Sequence, residues 1–557
     1  MDYYQKFQMS PFAERVLHGN NKICPGPGSQ RALLTCAESL RQITFETSRA
    51  SMAALETILI WCALLGLCIG YYLVPYLITY SALQDIPAAS RIAAVSNLWL
   101  AFQARRVRRS AAVHAAHQRL GPIVRIAPNH ISIASTAAVH PVYGHGNGLL
   151  KSDFYDAFVS FEPGLFSTRD RAEHTRKRRM VSHTFSTKAL AGFEQYIQQN
   201  LAVFVRQWNL KADNANGQFA KVDALAWCNY LAFDMIGDLA FGQPFGMLEK
   251  GKDIAELQLE PNGPISHAPA VYLLDKRGEL NALLGCAPAL IPYAKWIPDP
   301  FFYKGLSGRL GVNAIGTARV TERLQRGTKS DRIDLLARLM EGKDELGNSL
   351  GRNELISEAL TQMVAGSDTT ANSLCAVIYW TLKSPGVLQK LQKELDAVIA
   401  NHDCAPTFSQ VKDVKYLRAV INEGLRMHST NSIGLAREVP PGPGLEILGH
   451  HFPAGTVLSV PTYSIHHSKE VWGDDADCFR PERWECLTGD QRTCFIPFSH
   501  GPRACSGRNV AEMEMVLITA IMFSRYDFEL YQHQWKLRDG FLNKPVECQI
   551  GFKKRYR

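Results

Sequence analysis

The segment from Phe498 to Gly507 reads FSHGPRACSG. It sets one cysteine, Cys505, in a loop marked by Gly501, Pro502, Arg503 and Gly507. An apolar run at helical spacing follows: Val510, Met513, Val516, Leu517 and Ala520. A cysteine between a tight loop and a helix start favours thiolate, because loop N–H groups face the sulfur and the helix dipole stabilises negative charge there. No second cysteine stands at ligand spacing, which argues against zinc or an iron–sulfur cluster. A single thiolate beneath a haem iron fits the loop better.

Other residues of chemical type lie upstream. VAGSDTTANS sits inside an apolar stretch that reads as one helix from about Arg352 to Lys383, ended by Ser384-Pro385. Asp368, Thr369 and Thr370 each need a partner in a buried helix. Their hydroxyls can bond a carbonyl one turn back and bend the helix, and Gly366 lets a ligand or water approach the backbone. In INEGLRMH, Glu423 and Arg426 are three apart and share a helix face. FRPERW supplies another arginine, Arg483. AEHTRKRRM carries His174 and Arg178 one turn apart, and Arg176, Lys177 and Arg179 read there as a solvated basic face. The pairs His450-His451 and His466-His467 read as structural, since neighbours on a strand point to opposite faces.

These groups need a large scaffold, and the chain has one. It holds 557 residues, 46% hydrophobic and 20% charged, a globular composition. The formal charge is +9, without a basic stripe interleaved with aromatics, so nucleic acid is not an expected partner. The thirteen cysteines are scattered and form no C-x-x-C pair, which argues for reduced thiols rather than a disulfide framework. Residues 1–51 form an extension to which no role is assigned, with turn-like Pro25-Gly26-Pro27-Gly28. Thr57 to Gln84 holds no charged residue and is long enough to span a bilayer, so residues 52–84 are expected to be a transmembrane anchor. Pro75 is expected to kink it. Arg91, Arg105, Arg106, Arg108 and Arg109 follow the run, against Arg41 and Arg49 before it, which puts the remainder of the chain in the cytosol. Ile123 to Ile126 and Ile131 to Ile133, separated by Pro128-Asn129, predict a hairpin. The rest is mostly helical in pattern. The expected fold is mainly α with a small β-sheet region, the soluble part covering residues 85–557 as one domain, and the polar break GKDELGN (342–348) separating helices only.

The pattern Phe498-x-x-Gly501-x-Arg503-x-Cys505-x-Gly507, with the other motifs in order, resembles the cytochrome P-450 superfamily over roughly residues 85–555. That resemblance implies a P-450 fold behind an N-terminal transmembrane helix, haem b ligated by Cys505, O2 as co-substrate, and electrons from NADPH through an NADPH-cytochrome P-450 reductase. It implies that Asp368 connects to bulk protons while Thr369 handles oxygen and the water that protonates it. Glu423, Arg426 and Arg483 become a buried brace for the cysteine loop. Arg503, Arg437, His174 and Arg178 become partners of the haem propionates, His174 standing where the superfamily usually has tryptophan; Phe498 flanks the haem. The remaining basic face would steer an acidic reductase. More closely, the chain is similar to the fungal benzoate para-hydroxylases, in SNLWL, GPIVRIAPNHISIA, YGHGNGLLKSDFYDAF, STRDRAEHTRKR, NYLAFDMIGDLAFG, GLAREVPPG and TYSIHHSKEVWG. This implies a small aromatic acid, benzoate, oxidised at the para carbon by a single-pass endoplasmic-reticulum protein. Phe154, Tyr155, Phe158 and Phe161, with Ala365, are the expected pocket residues. The alternatives are a monooxygenase of the same fold acting on another fungal aromatic or secondary metabolite, and a haem sensor without turnover, against which the Asp368–Thr369 pair argues.

Overall fold

The structure is a computed structural model that describes residues 27–182, 185, 187–326, 334–344, 347–399 and 405–555. Pro25 and Gly26 of the turn-like stretch lie outside these residues, as do Glu345 and Leu346 of the polar break. The chain divides into two units, residues 1–74 and 75–557. In the first, Pro27–Val74 is one continuous helix (α1), so half of the expected extension is helical. In the second, Pro75–Thr79 forms a π-helical turn. Thr44–Ile78 is long and apolar enough to cross a membrane, its most apolar 18 residues having a mean hydropathy of 2.2.

The second unit is mainly helical, with small sheets at its margins. The helices that position the site are Arg171–Ser182 (α2), Ala224–Phe241 (α3), Ala270–Cys286 (α4), Pro300–Arg326 (α5), Arg352–Lys383 (α6), Lys415–Met427 (α7) and Arg508–Arg525 (α8). Helix α6 is buried on nearly every face, the pattern of a central helix. Leu374 and Ile378 of α6, Leu417 and Val420 of α7, and Leu517 and Phe523 of α8 share one core. Glu354 stands in the first turn of α6 and Lys383 in its last, both favourable to the helix dipole. Pro385 stops it and starts the next helix.

Helices α4 and α5 lie close because α5 carries glycines at 305, 308 and 311, three apart. A Cβ on Gly308 would stand 2.6 Å from the Leu273 carbonyl oxygen and 2.7 Å from the Arg277 nitrogen, so no side chain fits there.

The largest sheet has five strands. Ile123–Ala127 (β1) and His130–Ile133 (β2) form the expected antiparallel hairpin. The others are Leu150–Lys151 (β3), Arg437–Glu438 (β4) and Val457–Ser459 (β5), in the spatial order β1-β2-β5-β4-β3. Strand β5 runs parallel to β2, and β4 runs antiparallel to both β5 and β3. A second hairpin, Leu537–Asp539 with Asn543–Pro545, brings Phe541 and Lys544 to the cavity wall.

Candidate active site

Cys505 lies in the short loop between a turn of 3-10 helix, Gly501–Arg503, and α8. Its N–H donates to the Phe498 carbonyl at 2.9 Å, which closes the loop. The turn needs a left-handed backbone at Ser499 (φ 61°) and Gly501 (φ 71°). At Gly501 a Cβ would collide with the Tyr143 carbonyl. The Cys505 sulfur is deep in the fold, and its exposed surface opens into a cavity of about 360 Å³. Burial pushes this thiol up, while the Gly507 N–H, the Arg178 and Arg508 guanidiniums and the Arg508 N–H pull it down. The loop N–H groups pull towards thiolate, as the sequence implies, and burial opposes them. A coordinated cation is what makes such a thiolate persist.

One edge of the cavity carries Lys151, Arg178 and Arg503, and the nearby Arg437 charge acts on Lys151 and Arg503. Arg437 donates to Tyr155 Oη at 2.8 Å and keeps its Nη2 buried without a partner. Arg503 donates to the Thr168 carbonyl at 3.1 Å, and Arg178 to the Ala504 carbonyl at 2.7 Å. Lys151, which the sequence reading missed, donates to the Phe166 carbonyl and is pressed well below the usual lysine range by burial and then by Arg437, Arg503 and Arg178. Burial and the same cations hold His174 at about 3, so it is a neutral N–H donor rather than a cation. No carboxylate pairs with Lys151, Arg437 or Arg178 among the described residues. A cofactor bearing two carboxylates and a metal that takes a thiolate would fit this set: cations without counter-charge, one orphaned guanidinium nitrogen, one sulfur, and open space where a Cβ on Gly507 would stand.

Ala365 and Thr369 of α6 face the same cavity. Thr369 Oγ1 donates to the Ala365 carbonyl at 2.6 Å, the back-bond expected for a helix hydroxyl. Asp368 accepts from Lys544 Nζ at 2.6 Å, and Lys544 also donates to Asp275 at 2.8 Å. Arg538 reaches Asp275 at 3.3 Å. A chain of alternating charge thus leads from buried Asp368 to half-buried Arg538. Burial raises Asp368 against the pull of Lys544, while two carboxylates raise Lys544. Gly366 lines the cavity and has a second task besides the one expected. A Cβ there would meet Ile236 of α3 at 2.7 Å, so this glycine serves helix packing.

Glu423, Arg426 and Arg483 form one buried network. Glu423 accepts from Arg426 Nε (3.0 Å) and Nη2 (2.8 Å), Arg483 Nε (2.8 Å), Trp484 Nε1 (3.0 Å) and the Arg480 N–H (3.0 Å). Arg426 in turn donates to the carbonyls of His466 and Ala476, and Arg483 to those of Trp472 and Asp475. The arginines thereby tie α7 to the meander that leads into the cysteine loop.

Several expectations need correction. Of the four aromatic candidates only Phe158 lines the cavity, together with Phe166 and Phe541. Phe154 packs against Gly285 of α4, Tyr155 holds Arg437, and Phe161 is exposed. Residues 153–158 form a 3-10 turn, which sends successive rings in different directions. The basic face of α2 is smaller than expected. Arg176 pairs with Glu173 and Glu354, and Lys177 is buried against Glu354 and Glu358, fastening α2 to α6; of the three residues expected on that face, Arg179 alone is exposed. His466 and His467 belong to a short helical turn rather than a strand; His466 Nε2 accepts from the Ile496 N–H at 3.2 Å. Glu514 of α8 is a further unforeseen group. It accepts from Thr370 Oγ1 at 3.3 Å, and burial pushes it up to about 8.

A family model described as Cytochrome P450 matches residues 93–552. The benzoate 4-monooxygenase bphA of Aspergillus niger is 55% identical over 500 residues, covering 88% of this chain and 96% of that protein. The cytochrome P450 monooxygenase poxM of Penicillium oxalicum is 30% identical over 480 residues, covering 84% and 89%. The cytochrome P450 monooxygenase traB of Penicillium crustosum is 31% identical over 456 residues, covering 78% and 85%.

Proposed function

The chain belongs to the cytochrome P450 family, and from that premise we propose that it hydroxylates benzoate, or a closely similar small aromatic acid, at the para carbon. The observation that carries this reading is the 55% identity to the benzoate 4-monooxygenase of Aspergillus niger over nearly the whole of both chains. The reaction takes one oxygen atom of O2 into the C–H bond and reduces the other to water. The two electrons come from NADPH through a reductase, and the protons from solvent. Haem b, when bound, supplies the redox-active iron at which O2 is reduced.

The protein's own residues divide the remaining work. Cys505 is the ligand, and its loop is kept in shape by Gly501 and by the Glu423–Arg426–Arg483 brace. Lys151, Arg437 and Arg503, with neutral His174 as a donor, receive the propionates, while Arg178 holds the loop carbonyl at Ala504. Phe158, Phe166 and Phe541 exclude water from the substrate side. Thr369, whose hydroxyl proton is held by the Ala365 carbonyl, accepts from a water that protonates the reacting oxygen, and Asp368, held by Lys544 beside Asp275, leads towards solvent. The apolar helix Thr44–Ile78 anchors the protein by a single pass in the endoplasmic reticulum, with the haem domain in the cytosol.

Haem-loaded full-length protein, supplied with reductase, NADPH and benzoate, should release para-hydroxybenzoate, and benzoate alone should shift the haem from low to high spin. Neither product nor spin shift with benzoate would remove it as the substrate.

A further inference from the structure

Arg277 is a cavity cation without an acid. It stands in α4 beside Gly278, both on the cavity wall. Its Nη2 donates to Ser160 Oγ at 3.4 Å, and no carboxylate pairs with it among the described residues. The charge that acts on it is a second cation, Arg309, which itself donates to the Val159 carbonyl at 3.2 Å. Burial and this neighbour bring its pKa down to about 10. The other cations on the wall have assigned partners: Lys544 holds Asp368 and Asp275, Arg538 holds Asp275 and Glu279, and the Lys151 cluster faces the propionates. An enclosed guanidinium with one neutral partner is costly unless an anion completes it.

Its position next to the aromatic wall says which anion. Phe158 and Phe541 meet edge to face with centroids 4.5 Å apart, and Phe166 lies 5.5 Å from each. Ser160 follows Phe158 by two residues. A Cβ on Gly278, next to Arg277, would stand 4.0 Å from Phe541 Cβ. The guanidinium therefore adjoins a slot lined by rings. Gly308 presses α5 against the Arg277 backbone, so the residue is held on a fixed support.

We propose that Arg277, assisted by Ser160, binds the carboxylate of the aromatic substrate and so selects an acid over a neutral ring. This rests on the aromatic-acid reading above and adds the group that recognises the acid. A planar guanidinium pairs with a carboxylate through two parallel hydrogen bonds. A ring held in this way turns its para carbon away from Arg277.

The test titrates haem-loaded full-length protein with benzoate and with benzamide, following the spin shift; the carbon-monoxide band of the reduced protein certifies the fold of each variant. Arg277→Gln should weaken benzoate by about tenfold or more and benzamide by less than about twofold, the loss of a charged hydrogen bond. Arg277→Lys, which keeps charge but not the fork, should fall between. Ser160→Ala leaves the guanidinium in place and should weaken benzoate selectively, which keeps the test open if Arg277→Gln does not load haem. Unchanged benzoate binding in these variants overturns the proposal. If the parent ignores benzoate, the benzoate reading falls by itself. Larger aromatic acids and their amides then decide on Arg277: an acid-selective shift lost in Arg277→Gln supports it, and equal response to acids and amides ends it.

Discussion

Lys151 and Arg437 are register partners on adjacent antiparallel strands, both buried, with Lys151 on the cavity wall and the Arg437 charge acting on it. Like charges directly opposite each other destabilise a strand pair, and no carboxylate among the described residues relieves these two. The arrangement makes sense when an anionic group lies between them. Lys151→Met should therefore cost the haem-loaded protein more than the haem-free one, by about 1.5–3 kcal/mol, one charged hydrogen bond. Transfer of haem to an acceptor apoprotein should run roughly ten- to a hundredfold faster than in the parent, by the same energy. Equal transfer rates would mean that Lys151 does not face a propionate.

The brace at Glu423 carries a sharper energetic expectation. Its side chain is fully buried and serves two buried guanidiniums, an indole N–H and a backbone N–H. Glu423→Gln keeps the shape and removes the charge, leaving Arg426 and Arg483 uncompensated. Breaking one partner of such a site costs about 3–5 kcal/mol. Denaturant unfolding should show that loss, and purified protein should carry little haem because the cysteine loop loses its support. Arg483→Lys keeps a charge without the fork and should be intermediate. A variant of parental stability would place the brace outside the energetics of the loop.

What the sequence disclosed was what lies close along the chain. The Cys505 loop and the Glu423–Arg426 pair put chemistry and geometry within ten residues, so residue type and spacing sufficed. Lys544 and Asp368 are 176 positions apart, and neither has a local pattern that implies the other. Arg277, Lys151 and Glu514 stayed hidden for the same reason: each is defined by what the topology brings to it. Lys177 is different, since a signal existed. His174, Lys177 and Val181, buried residues at i, i+3 and i+7, mark one inward face of α2, and the charge run KRR masked that period. The aromatic run from Phe154 to Phe161 misled in the opposite sense, because composition does not give the direction of rings in a 3-10 turn.

Thr369 tests the proton delivery proposed for α6. Its hydroxyl proton is engaged by the Ala365 carbonyl, which leaves the oxygen free to accept from water in the cavity. Thr369→Ala should keep the haem content and the red-shifted Soret band of the reduced carbon-monoxide form, since Cys505 lies elsewhere on the wall. Its expected defect is in coupling: NADPH consumption continues while hydrogen peroxide rises and hydroxylated product falls. Cys505→Ala should instead lose the thiolate band altogether. Unchanged product per NADPH in Thr369→Ala would assign proton delivery to another group.

Glu514 should leave a mark on stability against pH. Its carboxyl is enclosed between α8 and α6, with Thr370 as its hydrogen-bond donor, and burial pushes it up to about 8 from an ordinary value of 4.5. Between these values the folded protein holds a proton that the unfolded chain has released. Stability conferred by this group is therefore complete below 4.5 and declines as pH rises, by about 1.4 kcal/mol per pH unit, levelling off above about 8. Glu514→Gln mimics the protonated form and removes the decline. The unfolding free energies of parent and variant should coincide below about pH 4 and diverge towards pH 8 with the variant more stable. Subtracting the two curves cancels the other titrating groups, including the buried histidines. Parallel curves across this range would mean that Glu514 ionises at its ordinary value, and that water or a cation reaches the space between Thr370 and α8.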